Sequence, residues 1–149
     1  MRRRAYLSGA GTGGLLTLAG CTTLGDTADA LFGGAEYDIG MSRNAFDPEE
    51  YEATVGERVV WKNTSEAVHT VTAYEGSIFE EAAYFASGGY ESEAEARAAW
   101  HEDGEGGFDT RETYAHTFEV PGTYPYYCIP HERDGDGETR MVGVVHVSE

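Results

Sequence analysis

Near its C-terminus the chain reads Tyr126-Tyr127-Cys128-Ile129-Pro130-His131 and then, after a polar stretch, Met141-Val142-Gly143-Val144-Val145. A thiol, an imidazole and a thioether therefore stand close together in the chain, and together they make a soft-metal donor set. A fourth candidate donor, His69, lies far upstream, behind the strand-like run Arg58-Val59-Val60-Trp61-Lys62-Asn63. Donors this far apart meet only once the fold has closed. That requirement suits a sandwich and excludes a finger, whose ligands sit in short paired spacings.

The donor types narrow the metal. Two imidazoles and one thiolate in a trigonal arrangement, with a weak axial thioether, suit copper that changes oxidation state with little reorganisation. A structural zinc site would show four Cys or His ligands in short pairs. A catalytic zinc site would favour three His or carboxylate ligands with an open position. Neither pattern is present. Taken singly, a Cys is usually core, a Met is usually packing, and a strand His is usually surface. Their combined order reverses those odds and points to electron transfer.

The stretch Pro121-Gly122-Thr123-Tyr124-Pro125-Tyr126-Tyr127-Cys128-Ile129-Pro130-His131, with Met141-Val142-Gly143 beyond, resembles the C-terminal copper loop of plastocyanin-like cupredoxins, specifically the halocyanins. Upstream, Gly56-Glu57-Arg58-Val59-Val60-Trp61-Lys62-Asn63 leading to His69 is similar to the family's approach to its first histidine ligand. The resemblance spans roughly residues 36–149, with specific motifs at both ends and a divergent middle.

The resemblance implies that His69, Cys128 and His131 are equatorial copper ligands and that Met141 is axial. It departs from the family in one respect, because nine residues separate His131 from Met141 where the family has only a few. Those residues are rich in Asp and Gly and can bulge outward as a polar loop, after which Met-Val-Gly restores the register of the final strand. The same logic places Asn63 between the two ligand loops as a hydrogen-bonding bridge. It makes the N–H of Thr70 a donor to the thiolate sulfur, a bond that tunes the potential. Pro130, lacking an N–H, removes a donor near the sulfur and stiffens the loop. Tyr127 resembles the family's longer-range electron route and reads equally well as an ordinary strand tyrosine.

The other histidines carry no metal in this reading. His116 and His146 lie in alternating, strand-like runs, and His101 follows a helical stretch. With no second copper site, a multicopper oxidase or nitrite reductase is disfavoured, and with no open coordination position or acid–base pair the chain reads as a non-enzyme. Cys21 and Cys128 belong to separate motifs, so a disulfide between them is not expected. Arg2-Arg3-Arg4-Ala5-Tyr6-Leu7, then a run ending Leu18-Ala19-Gly20-Cys21, resembles a twin-arginine lipoprotein signal over residues 1–20, with Cys21 as the lipid attachment site. Two acyl or ether-linked chains would anchor it stably; the alternative is an uncleaved export signal serving as a weak membrane anchor. The domain would then sit on the outer face of the membrane.

The chain holds 27 acidic residues against 10 basic ones, for a formal charge of −17. Self-repulsion of that size opposes folding in dilute buffer, but at molar salt the Debye length falls to about 3 Å. A high-salt organism is the natural home, since the acids are spread along the chain and not clustered as a docking face. Nucleic acid is disfavoured as a partner because no basic patch exists to meet phosphates. Residues 21–35 read as a flexible tether. Residues 36–149 read as one all-β, Greek-key, cupredoxin-like sandwich of a length that suits a single core, with strands at 37–40, 51–55, 58–63, 68–74, 114–120, 124–128 and 142–147.

One short helix is expected in the insertion at 75–112, capped by Ser92 with Glu95 at the capping-box position and packed down by Trp100. The insertion either roofs the copper end with an apolar docking patch or only buries its own helix. The resulting expectation is a monomeric blue-copper carrier serving membrane-associated redox proteins. A copper-delivery protein and a metal-free surface sandwich are the alternatives.

Overall fold

A computed structural model describes residues 36–132 and 141–149. The expected leader, the lipid-bearing Cys21, the tether, and residues 133–140 of the polar loop lie outside the described residues.

Among the described residues, eight strands form two four-stranded sheets: β1 (Ile39–Met41), β2 (Phe46–Asp47), β3 (Glu50–Thr54), β4 (Arg58–Asn63), β5 (Thr72–Ala73), β6 (Thr113–Thr117), β7 (Gly122–Tyr127) and β8 (Val142–Ser148). One sheet has the order β2-β1-β4-β6 and the other β3-β8-β7-β5. The pairs β1/β4 and β3/β8 are parallel and the remainder antiparallel. The all-β sandwich with one short helix is thus as expected.

Alternation sets the inner faces. Along β4, Val59, Trp61 and Asn63 point inward while Arg58 stays exposed, and along β8, Gly143, Val145 and Val147 do the same. Both sheets feed one core in which Trp61 is fully buried, edge-on to Tyr126 with ring centroids 5.4 Å apart. Phe85 and Phe118 join it, each such side chain contributing roughly 1.5–3 kcal/mol by burial. The strand at 58–63 falls as read from the sequence; β2 is an addition, its Phe46 packed edge-on to Tyr126 at 4.6 Å.

The expected strand at 68–74 is shortened to Thr72–Ala73. The run Val68-His69-Thr70-Val71-Thr72 alternates like a strand, but its neighbour is the insertion and not a sheet strand. His69 N–H donates to Phe108 O at 3.3 Å, Phe108 N–H donates to His69 O at 2.9 Å, and Ser87 N–H donates to Val71 O at 2.8 Å. The backbone there is satisfied by loop segments, and the ladder breaks into isolated bridges.

The insertion carries helix α1 (Glu93–Asp103). Ser92 Oγ accepts from Glu95 N–H at 3.2 Å, and the Glu95 carboxylate turns back to accept from Glu91 N–H at 3.1 Å. The helix stops at Gly104, whose φ of 69° only glycine adopts without cost. The insertion does more than bury its own helix. Phe85 and Phe108 enter the main core, while Ala86 and Ala96 cluster with Tyr127 and Ile129, and Trp100 packs against them. Gly107 permits a close approach here, since a Cβ on it would meet Val68 Cγ1 at 2.6 Å and Trp100 Cζ3 at 3.0 Å. Among the described residues, no helix is long and apolar enough to cross a membrane.

Candidate metal centre

The site forms where the loop after β4 meets the turn after β7. β7 delivers Cys128 at its end, and a single turn of 3-10 helix, Ile129–His131, brings His131 back over it. Cys128 Sγ lies 3.5 Å from His69 Nδ1 and 3.4 Å from His131 Nδ1. The donor atoms of the three residues all fall within 4.8 Å of one another. An ion bonded at about 2.0 Å to nitrogen and about 2.3 Å to sulfur holds those atoms about 3.5–3.7 Å apart in a trigonal plane, so the spacing fits one metal ion. His69 and Cys128 are fully buried, whereas His131 is partly exposed.

Each imidazole must present the right nitrogen. His69 Nε2 lies 2.8 Å from Ser65 Oγ, which itself donates to Asn63 Oδ1 at 2.9 Å. With its proton committed to Asn63, the Ser65 hydroxyl accepts from Nε2–H and leaves the Nδ1 lone pair facing Cys128. Contrary to expectation, among the described residues the Asn63 side chain bonds to Ser65, Ala67 and Phe108 and not across to the Cys128 loop. Its Nδ2 donates to Ala67 O at 2.6 Å and to Phe108 O at 3.1 Å, pinning the His69 loop to the insertion. Inward-facing at the end of β4, its side chain reaches backbone carbonyls of those segments.

Thr70 makes the bridge. Its N–H donates to Cys128 Sγ at 3.3 Å, as the sequence led us to expect, and its hydroxyl accepts from Ile129 N–H at 2.8 Å. The hydroxyl's part was not foreseen, nor was that of Ser65. The sequence signal for Ser65 is the Asn-x-Ser spacing, which forms an Asx turn with Ser65 N–H donating to Asn63 Oδ1 at 2.9 Å.

Burial governs the charges. It pushes the Cys128 thiol up to about 11, against the pull of the Thr70 N–H. It draws His69 down to about 4, assisted by His131 and opposed by the Ser42 carbonyl, and lowers His131 as well. Neutral imidazoles beside a thiol that ionises only with a cation at hand match a soft-metal site.

Met141 is fully buried in the same core cluster as Cys128. Its N–H donates to His131 O at 3.2 Å and its carbonyl accepts from Cys128 N–H at 3.1 Å. The chain thus returns to the ligand turn after its nine-residue excursion. Pro130 occupies the tight turn between Cys128 and His131. Tyr127 is buried beneath α1, stacked on Tyr74 with centroids 4.3 Å apart. His116 stacks on Phe85 at 4.8 Å, His146 lies on β8 beside Thr123, and His101 is exposed in the last turn of α1. Among the described residues, the metal-ligating cluster contains only His69, Cys128 and His131.

A two-sheet sandwich with a His, Cys, His cluster at one end and a buried methionine bonded to the same turn defines a blue copper protein of the cupredoxin class. The chain belongs to the copper binding proteins of the plastocyanin/azurin family, whose profile matches residues 35–148. Plastocyanin of Lactuca sativa is 34% identical over 116 residues, which is 76% of this chain and 100% of that protein. Among solved structures, an oxidized amicyanin mutant is similar at a TM-score of 0.52 and 21% identity, covering 75% of this chain and 81% of that one. A reduced Cu(I) form of another amicyanin mutant is similar at 0.52 and 22% identity, with the same coverage of 75% and 81%. Copper is the cofactor, and cupredoxins are electron carriers rather than enzymes.

Proposed function

We propose that this chain is a one-copper electron carrier that shuttles single electrons between membrane-associated redox proteins on the outer face of the cell membrane. His69, Cys128 and His131 would hold the copper, with the buried Met141 as a fourth donor. The observation that carries the reading is the closed donor set: three ligand atoms within 4.8 Å, two of their residues fully buried, and one imidazole reaching toward solvent.

Copper bound there would supply a one-electron Cu(I)/Cu(II) couple. Thr70 holds the sulfur and the turn behind it, Ser65 fixes the His69 tautomer, and the core excludes water from Cys128. The partly exposed His131 is the contact through which a partner exchanges electrons. Such contacts are small and partly apolar, so that the partners separate quickly. A delivery protein would need exposed, labile donors, and the burial of His69 and Cys128 disfavours it.

The membrane location rests on the arginine-rich leader and Cys21, and the high-salt setting on the excess of acidic residues. Voltammetry of the copper-loaded, full-length chain in molar salt tests the carrier role. A reversible one-electron wave, with copper retained against excess chelator over many cycles, is expected. Loss of copper on each reduction would identify a delivery protein instead.

A further inference from the structure

Helix α1 is tied to both ends of the ligand turn. On the N-terminal side, Tyr127 Oη donates to Glu93 Oε1 at 3.0 Å. On the C-terminal side, Glu132, the residue after His131, takes two parallel bonds from Arg97: Nη1 to Oε2 at 2.9 Å and Nη2 to Oε1 at 3.1 Å. Arg97 Nε donates in turn to Glu93 Oε1 at 3.1 Å, and its guanidinium lies 4.5 Å over the Tyr127 ring. Four side chains thus close a clasp around Cys128, Ile129, Pro130 and His131, with Ala96 of α1 packed in the same cluster as Ile129. The Glu132 side chain is only 15% exposed and that of Arg97 34%, so the pair is partly sheltered from salt.

A ligand turn needs this because of the chain beyond it. Nine residues follow His131 before Met141, and among the described residues two backbone bonds, Met141 N–H to His131 O and Cys128 N–H to Met141 O, tie Met141 back to the turn. Closing a longer loop costs more chain entropy, so the residue that opens it gains from a second hold.

We propose that Arg97 is a positioning residue for the copper site, its planar fork holding Glu132 and thereby orienting His131. The bidentate geometry matters as well as the charge, because a fork fixes direction where an ammonium does not. This inference rests on the copper-carrier reading above.

The test is copper affinity, by chelator competition in molar salt on the full-length chain, together with the position of the thiolate-to-copper band. Arg97→Met is expected to weaken copper binding about 10- to 100-fold, as loss of a supporting partner around a metal ligand typically does, and to move the band. Glu132→Gln is expected to weaken it too, and the double variant to be little worse than either single. A pure charge effect predicts the opposite for Arg97→Met: removing a cation near the site would tighten binding. Binding as tight as, or tighter than, the parent's in Arg97→Met overturns the proposal. If that variant does not fold, Arg97→Lys decides, since it keeps the charge and loses the fork; several-fold weaker binding supports the clasp and parental affinity overturns it. A parent chain with no thiolate band would remove the copper reading itself, whereas a blue parent with an indifferent Arg97 removes only this inference.

Discussion

The N–H of Thr70 donates to Cys128 Sγ at 3.3 Å across 58 positions of sequence, and the hydroxyl of the same threonine accepts from the N–H of the next residue, Ile129, at 2.8 Å. One residue therefore holds both the sulfur and the turn that carries the second histidine. Replacing Thr70 by Val keeps the backbone bond to sulfur and leaves the buried Ile129 N–H without an acceptor. The expected cost is about 1–3 kcal/mol of stability, measured by urea unfolding in molar salt, with Thr70→Ser near the parent value. Parental stability in the Val variant would show that the hydroxyl carries no weight.

Ser65→Ala removes one acceptor for His69 Nε2–H while leaving the donor set untouched. Copper affinity should fall by about tenfold or more, and imidazole proton resonances of the metal-free protein should show a mixture of His69 tautomers. A single tautomer at parental affinity would mean that the surrounding packing alone orients the ring.

The sulfur donors are separable by spectroscopy. Cys128→Ser should abolish the thiolate-to-copper band with the fold retained, as read by far-ultraviolet dichroism. Met141→Leu should keep the colour and raise the reduction potential, because a weak axial donor is lost and Cu(II) is favoured less. An unchanged spectrum and potential would remove Met141 from the ligand set.

His116 folds in its neutral form, its pKa held below the usual 6.5 by burial against Phe85 and Phe118. As pH falls through 6.5 the unfolded chain takes up this proton first, so stability drops over that window until the folded-state pKa is passed. In the copper-loaded protein, His116→Phe should flatten the decline of stability between pH 7 and about pH 5; an identical slope in parent and variant would assign the decline to other groups.

The sequence carried the parts of this fold that depend on residue type and strict alternation. β4 was legible at 58–63 because its inward Val59 and Trp61 alternate with exposed or half-exposed positions. His69, Cys128 and His131 were legible because those donor types follow strand-like runs, and the structure brings them together. Val68 to Val71 read falsely as strand because alternation does not reveal which partner satisfies the backbone, and here Phe108 and Ser87 do so. Asn63, Ser65 and the Thr70 hydroxyl were misread or missed for a related reason: their partners are set by loop geometry, which no period in the sequence encodes. The clasp of Arg97 on Glu132 joins residues 35 positions apart, through a helix whose docking face only tertiary packing defines.

The most direct test of the account is the visible spectrum of the full-length chain in molar salt, loaded with Cu(II) and then treated with ascorbate and reoxidised. The account predicts an intense blue thiolate band that vanishes on reduction and returns on oxidation with the copper still bound. A colourless protein, or a band that does not return, would contradict it.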